Sequence, residues 1–141
     1  MWDLFGGVVA DKSGPTRNIS RILVFKLGAT GKLPAPPPMA DRVLDPPPFT
    51  GTQAQLVRGG ALYARYCTYC HGDAAISGGM VPDLRHSGAI NSAEAIKAIA
   101  IDGALKHKGM VSFKEVITAD DAEAIRHYLI KRANEDKALG G

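Results

Sequence analysis

Five consecutive residues, Cys67-Thr68-Tyr69-Cys70-His71, hold the only two cysteines of the chain and one of its four histidines. Thiols at i and i+3 fall on one side of a helical turn, and the histidine that follows adds a nitrogen donor. Four chemistries use such a set. A redox-active dithiol needs a strand before the pair and a helix after it, whereas here helical sequence precedes and glycine-rich sequence follows. Zinc needs two further close ligands, and His86, His107 and His127 are scattered without a His-x3–5-His rhythm. A disulfide between the two would close a loop too short to stabilise much. The fourth is addition of both sulfurs across the vinyl groups of haem, with His71 as the proximal iron ligand. One helical turn separates the sulfurs by about the distance between neighbouring vinyls, so the spacing fits a single covalent haem c.

A six-coordinate iron needs a second axial ligand, and Met39, Met80, Met110, His86, His107 and His127 are the candidates. Met39 lies in proline-rich sequence, and His127 is expected on the solvent face of the last helix. Met80 follows His71 by only nine residues, so its loop would have to wrap the porphyrin edge very tightly. Met110 comes 39 residues after His71, behind a helix that covers that edge, on a Gly-Met loop able to present sulfur to iron. Met110 is therefore the preferred ligand. His107, on the same loop, is its competitor, and His/His ligation would lower the potential relative to His/Met.

The elements that must position these residues read as helices. Thr52 caps a helix running to about Cys67, with Gly59 and Tyr63 eight and four residues before Cys67 on one stripe. A glycine there lets another helix cross closely. Asn91 or Ser92 caps a short helix with Ala95, Ile96, Ile99 and Ala100 apolar, ending at Asp102-Gly103. The last helix starts at Thr118, where Thr118 and Asp121 resemble a capping box, and its buried stripe is Ala122, Ile125, Tyr128, Leu129 and Ala133.

The first fifty residues have a different character. Ile19-Ser20-Arg21-Ile22-Leu23-Val24-Phe25-Lys26-Leu27 predicts a strand buried on both faces, ending at the turn signal Gly28-Ala29-Thr30-Gly31, and Val8-Val9-Ala10 a second short one. Two strands alone are marginal in water, so they pack on the haem domain or belong to another sheet. Seven of the nine prolines lie between Pro34 and Pro48, which predicts a semi-rigid spacer reaching on the order of 55 Å. The division expected is a β-type arm over 1–33, a proline-rich linker over 34–50 and a compact domain over 51–141.

A net charge of +3 is too small to argue for nucleic acid, and no apolar run is long enough to span a membrane. The N-terminus does not read as a secretory signal, yet thioether attachment in bacteria takes place outside the cytoplasm. The expectation is a processed or excised piece of a longer exported, periplasmic protein.

Gly59, Tyr63, Cys67-x-x-Cys70-His71, Pro82, Leu84, Met110 and the Ile125/Tyr128 pair resemble class I c-type cytochromes. The implied fold is all-α, with three to four helices around one covalent haem and the first and last helices crossing near the glycine and aromatic positions. The resemblance also implies that the Pro82 carbonyl accepts from His71 Nδ1, that Leu84 packs on the porphyrin and that Arg85 reaches a propionate. Ala61-Leu62-Tyr63 through Gly72, Ala75-Ile76-Ser77-Gly78-Gly79, Val81-Pro82-Asp83-Leu84-Arg85 and Gly109-Met110-Val111-Ser112-Phe113 are closest to the C-terminal cytochrome domain of PQQ-dependent quinohaemoprotein alcohol dehydrogenases. Residues 1–33 are similar to the last strands of the β-propeller that precedes that domain.

The function this resemblance implies is single-electron transfer, from a PQQ dehydrogenase domain or subunit to a soluble redox protein or membrane oxidase. The chain itself is then no enzyme, with PQQ and calcium confined to the parent or partner. The alternatives are a haem enzyme or gas sensor with an open sixth site, and a free-standing cytochrome subunit of a separate dehydrogenase.

Overall fold

The computed structural model describes residues 22, 24–35, 43–77 and 81–140. The Val8–Ala10 strand, Met39, Met80 and the Gly78-Gly79 pair lie outside the described residues. Four α-helices are present among those described: α1 (Gln53–Tyr66), the single turn α2 (Thr68–His71), α3 (Ala93–Ala100) and α4 (Ala119–Ala138). Short 3-10 turns at Asp73–Ala75, Leu84–His86, Gly88–Asn91 and Lys106–Lys108 connect them. The architecture is the expected all-α, class I cytochrome c fold.

Each longer helix begins where its cap residue predicts. Thr52 Oγ1 accepts from Gln55 N at 3.2 Å while Gln55 Oε1 accepts from Thr52 N at 2.9 Å, a reciprocal capping box. Ser92, rather than Asn91, caps α3 through Ala95 N at 3.1 Å. At α4, Thr118 Oγ1 accepts from Asp121 N at 3.2 Å, and Asp121 Oδ2 accepts from Thr118 N at 3.1 Å. Asp121 also accepts from Arg58 Nε at 2.6 Å, which joins the start of α4 to α1.

Burial alone would raise the pKa of Asp121, but hydrogen bonds from Thr118 and the Arg58 guanidinium outweigh it and hold the carboxyl below the usual range. Its folded pKa therefore lies below its unfolded one, so its contribution is present above the ordinary aspartate value of about 3.9 and fades as pH falls below that. Asp121→Asn is expected to destabilise the protein near neutrality, and the gap from the parent should narrow in acid. Denaturant unfolding at about pH 7 and about pH 2.5 checks this.

Helices α1 and α4 cross at Gly59, where an added methyl would overlap the Ala124 carbonyl oxygen. One turn along, the rings of Tyr63 and Tyr128 meet with centroids 5.2 Å apart. Tyr63, Ile90, Leu129 and Ile130 are the largest fully buried side chains. They form the centre of a core that also takes in Leu44, Ile96 and Ile117.

Three placements differ from the sequence expectations. Ile22, Val24, Phe25 and Leu27, the described apolar residues of the expected strand, are almost fully exposed rather than buried on both faces and pair with no strand among the described residues; Ile19, Ser20, Arg21 and Leu23 lie outside the described residues. The back half of the proline-rich segment is not a free spacer. Leu44 is only 3% exposed, Pro47 O accepts from Asn134 Nδ2 at 2.9 Å, and Asp45 pairs with Lys137 at 3.2 Å, so residues 44–51 strap across α4. That strap also explains His127, which is 5% exposed rather than solvent-facing. Phe49 meets its ring edge-on at 5.8 Å, a Cβ at Gly51 would come within 2.7 Å of it, and His127 Nε2 lies 3.1 Å from Glu123 Oε1.

Candidate haem site

The end of α1 and the single turn of α2 set the geometry of the two sulfurs and the imidazole. Cys67 N donates to Tyr63 O at 2.8 Å as the last bond of α1, His71 N donates to Cys67 O at 2.9 Å as the bond that opens α2, and Gly72 N donates to Thr68 O at 2.9 Å as the bond that closes it. Cys67 is half-buried and Cys70 exposed, and they form no disulfide with each other. Burial, then the neighbouring Cys70, pushes the Cys67 thiol up to about 12. A redox-active dithiol works through a depressed thiol pKa, and the Cys67 thiol is shifted the opposite way.

His71 is buried, with Nδ1 2.9 Å from the carbonyl oxygen of Pro82. A carbonyl only accepts, so Nδ1 carries the proton and the lone pair sits on Nε2, the tautomer an axial ligand needs. Gly72 turns the chain at φ +79° immediately afterwards, and its carbonyl accepts from Tyr63 Oη at 2.8 Å. Burial raises the pKa of Tyr63, so its phenol remains a donor. The α1 stripe thus fixes the peptide that carries His71.

Pro82 lies in a segment held by local bonds. Ser77 Oγ donates to Val81 O at 2.6 Å, and Ser77 N to Asp83 Oδ2 at 3.3 Å. Leu84 packs against the core, and the Arg85 guanidinium is engaged by Asp83 and Asp136. Burial works against the charge of Arg85, but its bonds to those two carboxylates prevail and its pKa is raised.

Met110 is half-buried in a loop pinned at both ends: Met110 N donates to Leu105 O at 3.3 Å and Phe113 N to Ala100 O at 2.8 Å. Gly109 supplies the φ of +92° that the turn before Met110 requires. Phe113 faces Tyr66, the neighbour of Cys67, at 6.0 Å between centroids, which ties the Met110 loop to the cysteine segment. Lys106, His107 and Lys108 on the same loop are exposed.

The donor set fits a covalent haem. Two thiols stand three residues apart at the turn that follows α1, the imidazole of His71 keeps Nε2 unused by Pro82, one thioether sits in a pinned loop, and Leu84, Tyr66 and Phe113 are partly buried apolar side chains. Among the described residues no cluster of three or more His, Cys, Asp or Glu is arranged to hold a metal ion directly.

Comparison with known proteins agrees. Residues 54–129 match the family model described as "Cytochrome C oxidase, cbb3-type, subunit III". The match covers more than half of the chain, so the chain belongs to this family: it is a c-type cytochrome domain, a class that carries covalent haem c and transfers electrons. More particularly, it is similar to quinohaemoprotein alcohol dehydrogenase ADH IIB of Pseudomonas putida, 37% identical over 139 residues, covering 94% of this chain and 20% of that protein. It is 41% identical over 132 residues to the dehydrogenase subunit of the quinone alcohol dehydrogenase of Gluconobacter oxydans, covering 94% of this chain and 17% of that one. A solved structure of quinohaemoprotein alcohol dehydrogenase ADHIIG from Pseudomonas putida HK5 superposes with a TM-score of 0.60 at 38% identity, covering 78% of this chain and 16% of that one. The chain spans about a fifth of the length of these relatives. Among the described residues no helix is long and apolar enough to cross a membrane.

Sequence reasoning named Cys67, Cys70, His71, Pro82 and Met110 as candidates, and the structure brings His71 and Pro82 together; the polar ties around them were missed. Tyr63 was expected as packing, and its hydroxyl bond to Gly72 has no local signature. Ser77, Asp83 and Arg132 hold the proximal segment, and only the adjacency of Asp83 to Arg85 hinted at a pair.

Proposed function

We propose that residues 51–141 relay single electrons through one haem c attached to Cys67 and Cys70, with His71 and Met110 as axial ligands. The donor would be a PQQ dehydrogenase domain, and the acceptor a soluble redox protein or membrane oxidase. Residues 1–33 are then the end of the donor's β-propeller and residues 34–50 the connection, part of which, 44–50, lies on α4. The similarity to full-length quinohaemoprotein dehydrogenases supports that arrangement, and thioether attachment supports a periplasmic location.

The observation that carries this reading is the tautomer of His71. Its Nδ1 proton is used by Pro82 O at 2.9 Å, which leaves Nε2 as the ligand atom on the residue that follows Cys70 in sequence. When bound, haem supplies a reversible one-electron couple at iron. His71 and Met110 would hold the iron between them, which would leave no position for outside ligands. Pro82 holds the imidazole plane and strengthens its donation. Leu84, Tyr66 and Phe113 would help keep water from a bound haem, and the exposure of Cys70 would leave the side it anchors open to partners.

An open-site haem enzyme or gas sensor would bind carbon monoxide promptly in the ferrous state. The expected result on mixing the ferrous holoprotein with carbon monoxide is no rapid spectral change, and prompt binding would refute the relay.

A further inference from the structure

The segment bearing Pro82 is fastened to α4 by ions rather than by backbone. Arg85 wraps the Asp83 carboxylate, with Nε donating to Oδ1 at 3.0 Å and a terminal nitrogen to Oδ2 at 2.6 Å. Its other terminal nitrogen donates to Asp136 Oδ2 at 2.7 Å, a partner 51 residues away on α4. Arg132, one turn earlier on that helix, lies 3.5 Å from Asp136 Oδ1 and donates to Ala74 O at 3.3 Å. The side chains of Arg85, Asp83 and Asp136 are 13%, 12% and 15% exposed, so the bonds are shielded from water and from salt.

One residue separates this cluster from the axial site, because Asp83 directly follows Pro82. The carbonyl of Pro82 keeps its 2.9 Å contact with His71 only while the 81–85 segment stays in place. Leu84 provides one attachment through packing. The bidentate arginine provides a directional one, since a planar guanidinium satisfying two carboxylates fixes angle as well as distance.

We infer that Arg85, Asp83 and Asp136 form a latch that positions the Pro82 carbonyl on His71 and so sets how strongly the imidazole donates to iron. The inference rests on His71 being the axial ligand. Arg85 is then a positioning residue acting through Pro82, not a propionate ligand.

The sign of a potential shift separates these roles. A His71 Nδ1–H that donates firmly to Pro82 makes Nε2 more electron-rich and favours ferric iron, so loosening the latch raises the potential. Loss of the Arg85 charge alone would favour ferric iron and lower it. In the holoprotein, Arg85→Met is expected to favour the ferrous state by at least about threefold, roughly 30 mV upward at about 59 mV per tenfold for a one-electron couple. The His71 ring N–H proton, followed by NMR in the ferrous state, should exchange with water faster than in the parent.

Asp136→Leu, which leaves the Asp83–Arg85 pair intact, should move both readouts the same way, and Asp136→Glu should restore them. It also carries the test should Arg85→Met fail to assemble with haem. A potential that falls in Arg85→Met, or ring-proton exchange unchanged in both variants, overturns the latch. Should His71→Ala leave the parent's low-spin spectrum intact, it is the axial assignment beneath the inference that fails.

Discussion

Replacing Met110 with alanine is expected to open the sixth position of the iron and to lower the potential by a large step, on the order of 0.2 V of the roughly 0.8 V that axial ligands command. The ferrous variant should bind carbon monoxide rapidly where the parent does not, and the weak sulfur-to-iron charge-transfer band near the red end of the ferric spectrum should vanish. The reasons lie in the loop. Gly109 at φ +92° turns the chain, and bonds from Met110 N to Leu105 and from Phe113 N to Ala100 hold it, so alanine removes the sulfur without releasing the backbone. His107, three residues earlier and exposed, is the competing ligand. An unchanged spectrum in Met110→Ala would transfer the assignment to it.

Gly59→Ala is expected to be the most damaging single methyl in the protein. The added carbon would overlap the backbone carbonyl of Ala124, and a backbone atom cannot rotate away as a side-chain tip does. Helices α1 and α4 must then separate at their crossing, pulling apart the Tyr63–Tyr128 pair one turn on. Overpacking costs roughly 1–3 kcal/mol, and this case belongs at or beyond the upper end because the obstacle is main chain. Alanine returns about 1 kcal/mol of helix propensity, so a net loss of about 2 kcal/mol remains. The neighbouring glycine gives the control. A methyl on Gly60 meets the Tyr128 ring at 3.4 Å, an ordinary contact, so Gly60→Ala should be neutral or stabilising by up to about 1 kcal/mol. Denaturant unfolding of the two variants should therefore move in different directions from the parent.

The features legible in the sequence were local. Cys67, Cys70 and His71 announce themselves within five residues, and the caps Thr52, Ser92 and Thr118 each act within three residues of themselves. The crossing at Gly59 was legible because a glycine amid helix formers demands a close neighbour. The illegible features depended on distant partners. A helical wheel places His127 among polar residues, and only the strap that brings Phe49 and Gly51 over α4 buries it. Leu44 sits among prolines in a segment that composition marks as an extended spacer, yet it enters the core because Asn134 and Lys137 hold the strap down. Asp136 looks like one charge among several near a frayed end, and its bond to Arg85 spans 51 residues. In this chain the ligand chemistry is written locally, while the devices that hold it are written in pairs far apart in sequence.

That one covalent haem in this chain passes electrons singly is tested most directly by an anaerobic potentiometric titration of the haem-loaded protein, followed through its visible spectrum. The expected result is one reversible step with the slope of a one-electron couple, about 59 mV per tenfold change in the oxidised-to-reduced ratio, and low-spin spectra at both ends. A two-electron slope, an irreversible change, or a high-spin ferrous spectrum would contradict it.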